Sequence, residues 1–132
     1  MSADGAVFEN IIFDRCTFDN SMLRRAKFDF CTFKHTSFKK ANLSHCEYKD
    51  SVLDHVDFSG STLNYASFDT CEIYYLIIKG TGLFKTIFYD TQIMGLDVNY
   101  DLPEALIEGD TRTIYPQQES QSDYEEYSDG DY

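Results

Sequence analysis

Residues 26–50 read AKFDF CTFKH TSFKK ANLSH CEYKD, five blocks of five with a large apolar residue third in each: Phe28, Phe33, Phe38, Leu43 and Tyr48. The first position of each block is small, as Ala26, Cys31, Thr36, Ala41 and Cys46. Working outward, the large register runs back through Leu23, Phe18, Phe13 and Phe8. Forward, it continues through Leu53, Phe58, Leu63, Phe68, Ile73, Ile78, Leu83, Phe88, Ile93 and Val98. A period of five suits neither regular element. In an α-helix five residues advance by about 500°, a net 140°, so these side chains would spiral around the cylinder. In a strand five is odd, so successive members would point to opposite faces. The chain must turn once per repeat in a constant sense, with each large residue inward and the coils stacked through backbone bonds. Internal periods of this kind mark a solenoid.

The pattern resembles the pentapeptide-repeat family, whose consensus is a small residue, Asn or Asp, Leu or Phe, then two polar residues. Ala41-Asn42-Leu43-Ser44-His45 nearly reproduces it, and the resemblance runs from about residue 5 to 99. It implies an all-β fold: a right-handed quadrilateral parallel β-helix with four repeats per coil. Residues 1–100 are assigned to that β-helix, 101–115 to a C-terminal capping helix and extended segment, and 116–132 to an acidic tail. At 132 residues and 42% hydrophobic composition the chain suffices for one column-shaped core. No segment approaches a membrane span and no secretory signal opens the chain, so no membrane is expected and the expected compartment is cytoplasmic.

Cys16, Cys31, Cys46 and Cys71 are spaced by multiples of five and share the inward small register. No two lie one coil apart, so they read as buried free thiols acting as small hydrophobes, with no disulfide or metal role. His35, His45 and His55 fall on outward corners, and His35 stacks on His55 between Arg15 and Tyr75. Two imidazoles without a carboxylate in their column make a poor metal site. Phosphate-cradling glycine loops, nucleophile elbows and paired carboxylates in a cleft are absent from the sequence. The expectation is a non-enzymatic protein with no cofactor.

What remains is surface. Of the net −12, residues 1–100 carry 13 acids and 10 bases, or −3, while residues 101–132 carry ten acids and Arg112, or −9. With four repeats per coil, the face on Phe8, Phe28, Tyr48, Phe68 and Phe88 shows Glu9, Asp29, Glu47, Asp50, Asp69 and Asp90 against Lys27 and Lys49. The face on Leu23, Leu43, Leu63 and Leu83 shows Arg24, Arg25 and Lys85 and no acid. A column of acids matters because the quinolone-resistance branch of the resembled family is similar to a B-DNA rod and binds DNA gyrase through an acidic surface. Near residue 73 the outward positions turn apolar: Tyr74, Tyr75, Ile77, Phe84, Ile87, Tyr89 and Met94 suggest a dimer or partner interface. Family members that dimerise through C-terminal coils imply an end-to-end homodimer here.

Beyond the repeats, DLPEALIEG (101–109) predicts a short helix, with Pro103 in its first turn and Gly109 ending it, and with Leu102, Leu106 and Ile107 plugging the column. TRTIY (111–115) is expected to run extended. The tail, with Glu119, Asp123, Glu125, Glu126, Asp129 and Asp131 among Tyr124, Tyr127 and Tyr132, is a second candidate partner-binding segment. Nineteen repeats make a rod on the order of 23 Å long at about 4.8 Å per coil, or roughly seven base pairs of DNA. The expected function is therefore DNA mimicry: an enzyme inhibitor occupying the basic nucleic-acid cleft of a DNA-handling enzyme. DNA gyrase is the first candidate, a restriction or CRISPR effector the second. The alternative is a scaffold that binds a protein through the apolar C-terminal coils. Direct nucleic-acid binding by residues 24–40 is not expected, given the net acidity.

Overall fold

The computed structural model describes residues 1–96 and 105–113, and in that span strands too short to stand alone wind one column. In chain order they are β1 (Val7–Glu9), β2 (Ile12–Asp14), β3 (Lys27–Asp29), β4 (Thr32–Lys34), β5 (Glu47–Lys49), β6 (Val52–Asp54) and β7 (Val56–Asp57). They continue as β8 (Ser67–Asp69), β9 (Glu72–Ile73), β10 (Leu76–Ile77), β11 (Ile87–Tyr89), β12 (Gln92–Ile93), β13 (Leu106–Glu108) and β14 (Arg112–Thr113). One six-stranded parallel sheet has the order β1-β3-β5-β8-β11-β13, and a second has β14-β12-β9-β6-β4-β2. The third side holds the β7-β10 pair, and the fourth is joined by single bridges such as Met22 to Asn42 and Asn42 to Thr62. Phe8 faces Phe28, Phe28 faces Tyr48, and Tyr48 faces Phe68, so each coil takes twenty residues, or four five-residue periods. The four-sided parallel β-helix is thus observed directly.

Backbone groups bond between coils. The Asn42 N–H donates to Ser21 O at 2.9 Å, and the Leu23 N–H donates to Asn42 O at 2.9 Å. Corners require one left-handed residue per repeat. Arg15, Arg25, His35, His45, His55 and Tyr65 all have φ between 48° and 62°. Such a conformation costs about 1–2 kcal/mol for a non-glycine residue, so inter-coil bonding and core packing must outweigh it at nearly every turn. Tyr75 and Gly95 are absent from the left-handed series, and there the corner is flattened.

Inside, side chains stack at coil spacing. Phe8, Phe28, Tyr48, Phe68 and Phe88 form one ladder with ring centroids 4.7–5.0 Å apart. Phe18, Phe38 and Phe58 form another at 4.9 and 5.3 Å. The fourth wall is the aliphatic column Leu23, Leu43, Leu63 and Leu83, all buried. Phe8, Phe13 and Phe18 remain half-buried, because they belong to the first coil of the stack.

The C-terminal reading needs correction. Leu106–Glu108, expected in a capping helix, is β13, pairing with β11 so that Ile107 lies over Phe88. The short offset of Ile87 to Leu106 is restored to twenty by Gly109, at φ 66°, before β14 pairs with β12. An open ladder edge on β11 offers backbone bonds that local helix propensity cannot match over so few residues. Leu106 is exposed on the outward row beside Ile87, whereas Ile107 continues the inward register over Phe88 and is 45% exposed at the end of the column. Leu102 and Pro103 lie outside the described residues, as does the acidic tail 116–132.

Candidate functional site

The two six-stranded sheets fix outward side chains in rows about 4.8 Å apart along the column. On the first sheet one row reads Glu9, Asp29, Lys49, Asp69, Tyr89 and Glu108. The parallel row reads Val7, Lys27, Glu47, Ser67, Ile87 and Leu106. Asp50 and Asp90 hold left-handed corners beside it. The six acids expected on one face therefore do share it, with Lys49 breaking the main row. Asp90 is engaged within the fold, its carboxylate accepting the Asp110 N–H at 2.7 Å. Glu108 joins the row, a residue that the helical reading had placed elsewhere. Among the described residues, no ion pair involves Glu9, Asp29, Glu47, Asp50, Asp69 or Glu108.

The opposing charge is weaker than the sequence suggests. Asp4 sits one coil before Arg24 and binds it through the Arg24 N–H at 2.9 Å and the guanidinium at 2.6 and 3.1 Å. The Arg24 hydrogen bond leads the causes that hold the Asp4 carboxyl below its ordinary value. Arg25, Lys40 and Lys85 remain as exposed cations at the edges of this face, outside any ion pair among the described residues. Between them the corner carries an aromatic stack missed in the sequence: His45 lies 5.0 Å from Tyr65 with rings 3° from parallel, and Phe84 meets Tyr65 edge-on at 5.7 Å. Twenty-residue spacing of His45 and Tyr65 was the available signal.

The apolar positions 74–94 are brought together only in part. Tyr74 and Met94 are neighbours one coil apart at the end of the second sheet, 45% and 46% exposed, with Tyr75 half-buried beside them, while half-buried Ile77 lies on the third side in β10. Ile87 and Tyr89 lie on the acidic face, and Phe84 lies on the basic one. The seven positions are spread over all four sides instead of forming one patch. His35 and His55 stack at 5.0 Å, and His55 Nδ1 lies 2.7 Å from Asp54 Oδ1. Among the described residues no group of three His, Cys, Asp or Glu is placed to hold a metal ion. Nor does any described helix have the length and apolarity to cross a membrane.

The small inward register does more than save space. Thr86 Oγ1 donates to Leu63 O at 2.7 Å, Thr91 Oγ1 to Phe68 O at 2.9 Å, and Ser51 Oγ to Phe28 O at 3.2 Å. Cys46 Sγ lies 2.9 Å from Leu23 O and Cys71 Sγ 3.2 Å from Tyr48 O in the same relation. Burial comes first among the causes that push both thiols from 9.0 up to about 12. They are unreactive donors, and a thiolate nucleophile at either position is disfavoured.

The sequence pattern described as pentapeptide repeats matches residues 4–39 and 36–72, in eight copies. Among solved structures, the chain is similar to the pentapeptide repeat protein Rfr23 of the cyanobacterium Cyanothece 51142, at TM-score 0.76 and 12% identity over 86% of this chain and 91% of that one. It is similar to QnrB1, a plasmid-mediated fluoroquinolone resistance protein, at TM-score 0.55 and 15% identity over 85% of this chain and 81% of that one. A pentapeptide repeat protein of the Arabidopsis thaliana thylakoid lumen matches at TM-score 0.52 and 22% identity over 67% of this chain and 65% of that one. At such identities these likenesses show the fold alone. No curated protein sequence matches the chain.

Proposed function

The chain belongs to the pentapeptide-repeat family, and from that premise we propose that it acts by being bound, its acidic face imitating the phosphate track of duplex DNA in the cleft of a DNA-handling enzyme. The observation that carries this reading is the row Glu9, Asp29, Asp69 and Glu108 with Glu47 and Asp50 beside it, held at fixed coil spacing. Rigidity matters here. Carboxylates on a stacked sheet engage Arg and Lys without first being ordered, and their field steers a basic partner over several ångström. The chemistry is competition, with no bond made or broken. DNA gyrase is the first candidate target, supported by the shared fold with a fluoroquinolone resistance protein. A restriction or CRISPR effector is the second. The body is about five coils, roughly 24 Å, so an end-to-end dimer would present a longer DNA-like surface. The proposed compartment is the cytoplasm, in keeping with four free cysteines.

The test adds purified protein to a gyrase supercoiling reaction, and to labelled duplex DNA bound by gyrase, at low and high salt. Inhibition with displacement of the DNA at low salt, relieved at high salt, supports mimicry. Protein that neither slows supercoiling nor displaces DNA at low salt removes gyrase, and the same result with nucleic-acid effectors removes mimicry. A second reading, a scaffold for a protein partner, is favoured by the exposed Tyr74–Met94 pair. It predicts salt-tolerant binding that Tyr74→Asp abolishes and that survives loss of residues 117–132.

A further inference from the structure

The two charged faces of the column are not equivalent, and the second has chemistry of its own. Along one edge stand Arg25, His45, Tyr65 and Lys85, all at left-handed corners, with Phe84 against Tyr65 and Lys85 Nζ 5.7 Å from the Phe84 ring centre. Along the other edge run Lys40, Gly60 and Gly80, where the Lys40 side chain lies over Gly60 and Gly80 is open, with exposed Lys79 beside it. Between the edges lie short polar residues, Asn42, Ser44, Thr62 and Asn64, and Gly82. Between the edges Asp4 is the one acid among the described residues, and it is bound by Arg24, while Asp19 stands three coils before Lys79 in its row and accepts the Lys39 N–H. The result is a strip with an aromatic wall on one side, a low wall on the other, and cations at its margins.

Stacking decides what fits. His45 and Tyr65 lie face to face, so one face of each ring is taken by the other and no base could intercalate between them without breaking the ladder. Ring edges are what solvent sees, and these carry the positive end of the aromatic quadrupole. Cations beside ring edges suit carboxylates. We propose that this strip is the docking surface for an acidic, tyrosine-containing segment, and that its occupant is residues 114–132 of the same chain. That segment holds Glu119, Asp123, Glu125, Glu126, Asp129 and Asp131 with no Lys or Arg. The opposite charge pattern of the Glu9–Asp29–Asp69 face repels it.

Reach does not limit the contact. Nineteen residues at about 3.3 Å each span on the order of 60 Å, more than twice the roughly 24 Å of the column. A tether of that length holds its segment at roughly millimolar effective concentration, so a weak, charge-driven contact suffices for occupancy. Docking there leaves the acidic face open. The proposal does not rest on DNA mimicry and survives its failure.

The experiment uses the full chain and a zero-length carbodiimide, which joins a carboxylate to a lysine amine already in contact. Mass mapping of the monomer is expected to find Glu119–Asp131 carboxylates joined to Lys40, Lys79 and Lys85 at low salt, with several-fold loss at high salt. Arg25→Asn removes a charge while keeping a residue tolerant of the left-handed corner, and is expected to lower the Lys40 and Lys85 products several-fold with the fold retained by circular dichroism. Links to Lys27, Lys34 and Lys49 in equal yield, links confined to cross-linked dimers, or yields unmoved by salt and by Arg25→Asn would each overturn the proposal.

Discussion

Tyr48 occupies the middle of the Phe8–Phe88 ladder, fully buried, with a hydroxyl that finds no hydrogen-bond partner among the described residues. A buried unsatisfied hydroxyl costs about 1–3 kcal/mol, whereas its stacked ring is matched by phenylalanine above and below. Tyr48→Phe is therefore expected to stabilise the protein by about 1 kcal/mol, read as a raised urea midpoint; an unchanged or lower midpoint contradicts it. Alkali should act on the same region. Cys46 and Cys71 are pushed up to about 12 in the fold, against an ordinary 9.0. Both states keep the thiols protonated below pH 9, so that stability is intact there. Between pH 9 and 12 the unfolded thiols ionise first, and stability falls by up to about 1.4 kcal/mol per pH unit per thiol. Cys46→Ser with Cys71→Ser keeps the donor to the carbonyl, so it should flatten the loss of urea midpoint above pH 9. An equally steep loss in the double variant would assign the alkaline sensitivity elsewhere, Tyr48 being next in line. At this scale the sequence was legible for position but not for role. Residues such as Cys46 and Thr86 read as small; that they donate to the preceding coil depends on a carbonyl 23 residues away.

Single strands of two or three residues have no stability of their own, and their existence follows from coil stacking. This explains both the success and the failure at the level of elements. Where the period of five is unbroken, every inward residue from Leu23 to Ile93 is buried in the core or its small-register layer except Thr81, which is half-buried. Where it lapses, at residues 101–109, local composition predicted a helix. The chain instead adds Leu106–Glu108 to the β11 edge, an outcome set by a partner strand and invisible in a nine-residue window. The flattened corner at Tyr75 and Gly95 was likewise unreadable, since it is defined by a missing left-handed turn. Here a Cβ on Gly95 would lie 3.0 Å from Tyr74 O and 3.3 Å from Tyr75 Cδ1. The nearest atom is backbone, so relief requires moving the coil beneath. Gly95→Ala is expected to destabilise by about 1–3 kcal/mol, lowering the thermal midpoint. A variant as stable as the parent would mean that the 75–95 corner is loosely packed.

Across the whole molecule, charge is sorted by face, and four-repeat coiling was enough to foresee the acidic side from residue numbers. The sorting was incomplete for two reasons. The face carrying Arg24 was read as having no acid, although Asp4 one coil before neutralises it, and Glu108 was assigned to a helix. Grouping 74–94 as one patch failed because neighbours in sequence occupy different sides of a square. The site that survives this sorting makes a kinetic prediction. If carboxylates on one rigid face steer the protein toward a basic cleft, replacing Glu9, Asp29, Asp69 and Glu108 by their amides should slow association about tenfold or more at low salt. Dissociation should change less, because long-range attraction acts on the encounter, and raising salt should bring parent and variant on-rates together. The substitutions are outward and between isosteric side chains, so circular dichroism should be unchanged. The measurement is surface-immobilised gyrase with protein in flow. If on-rate and salt dependence are those of the parent, the acidic face is a solubilising surface, and binding, where found, belongs to another side of the column.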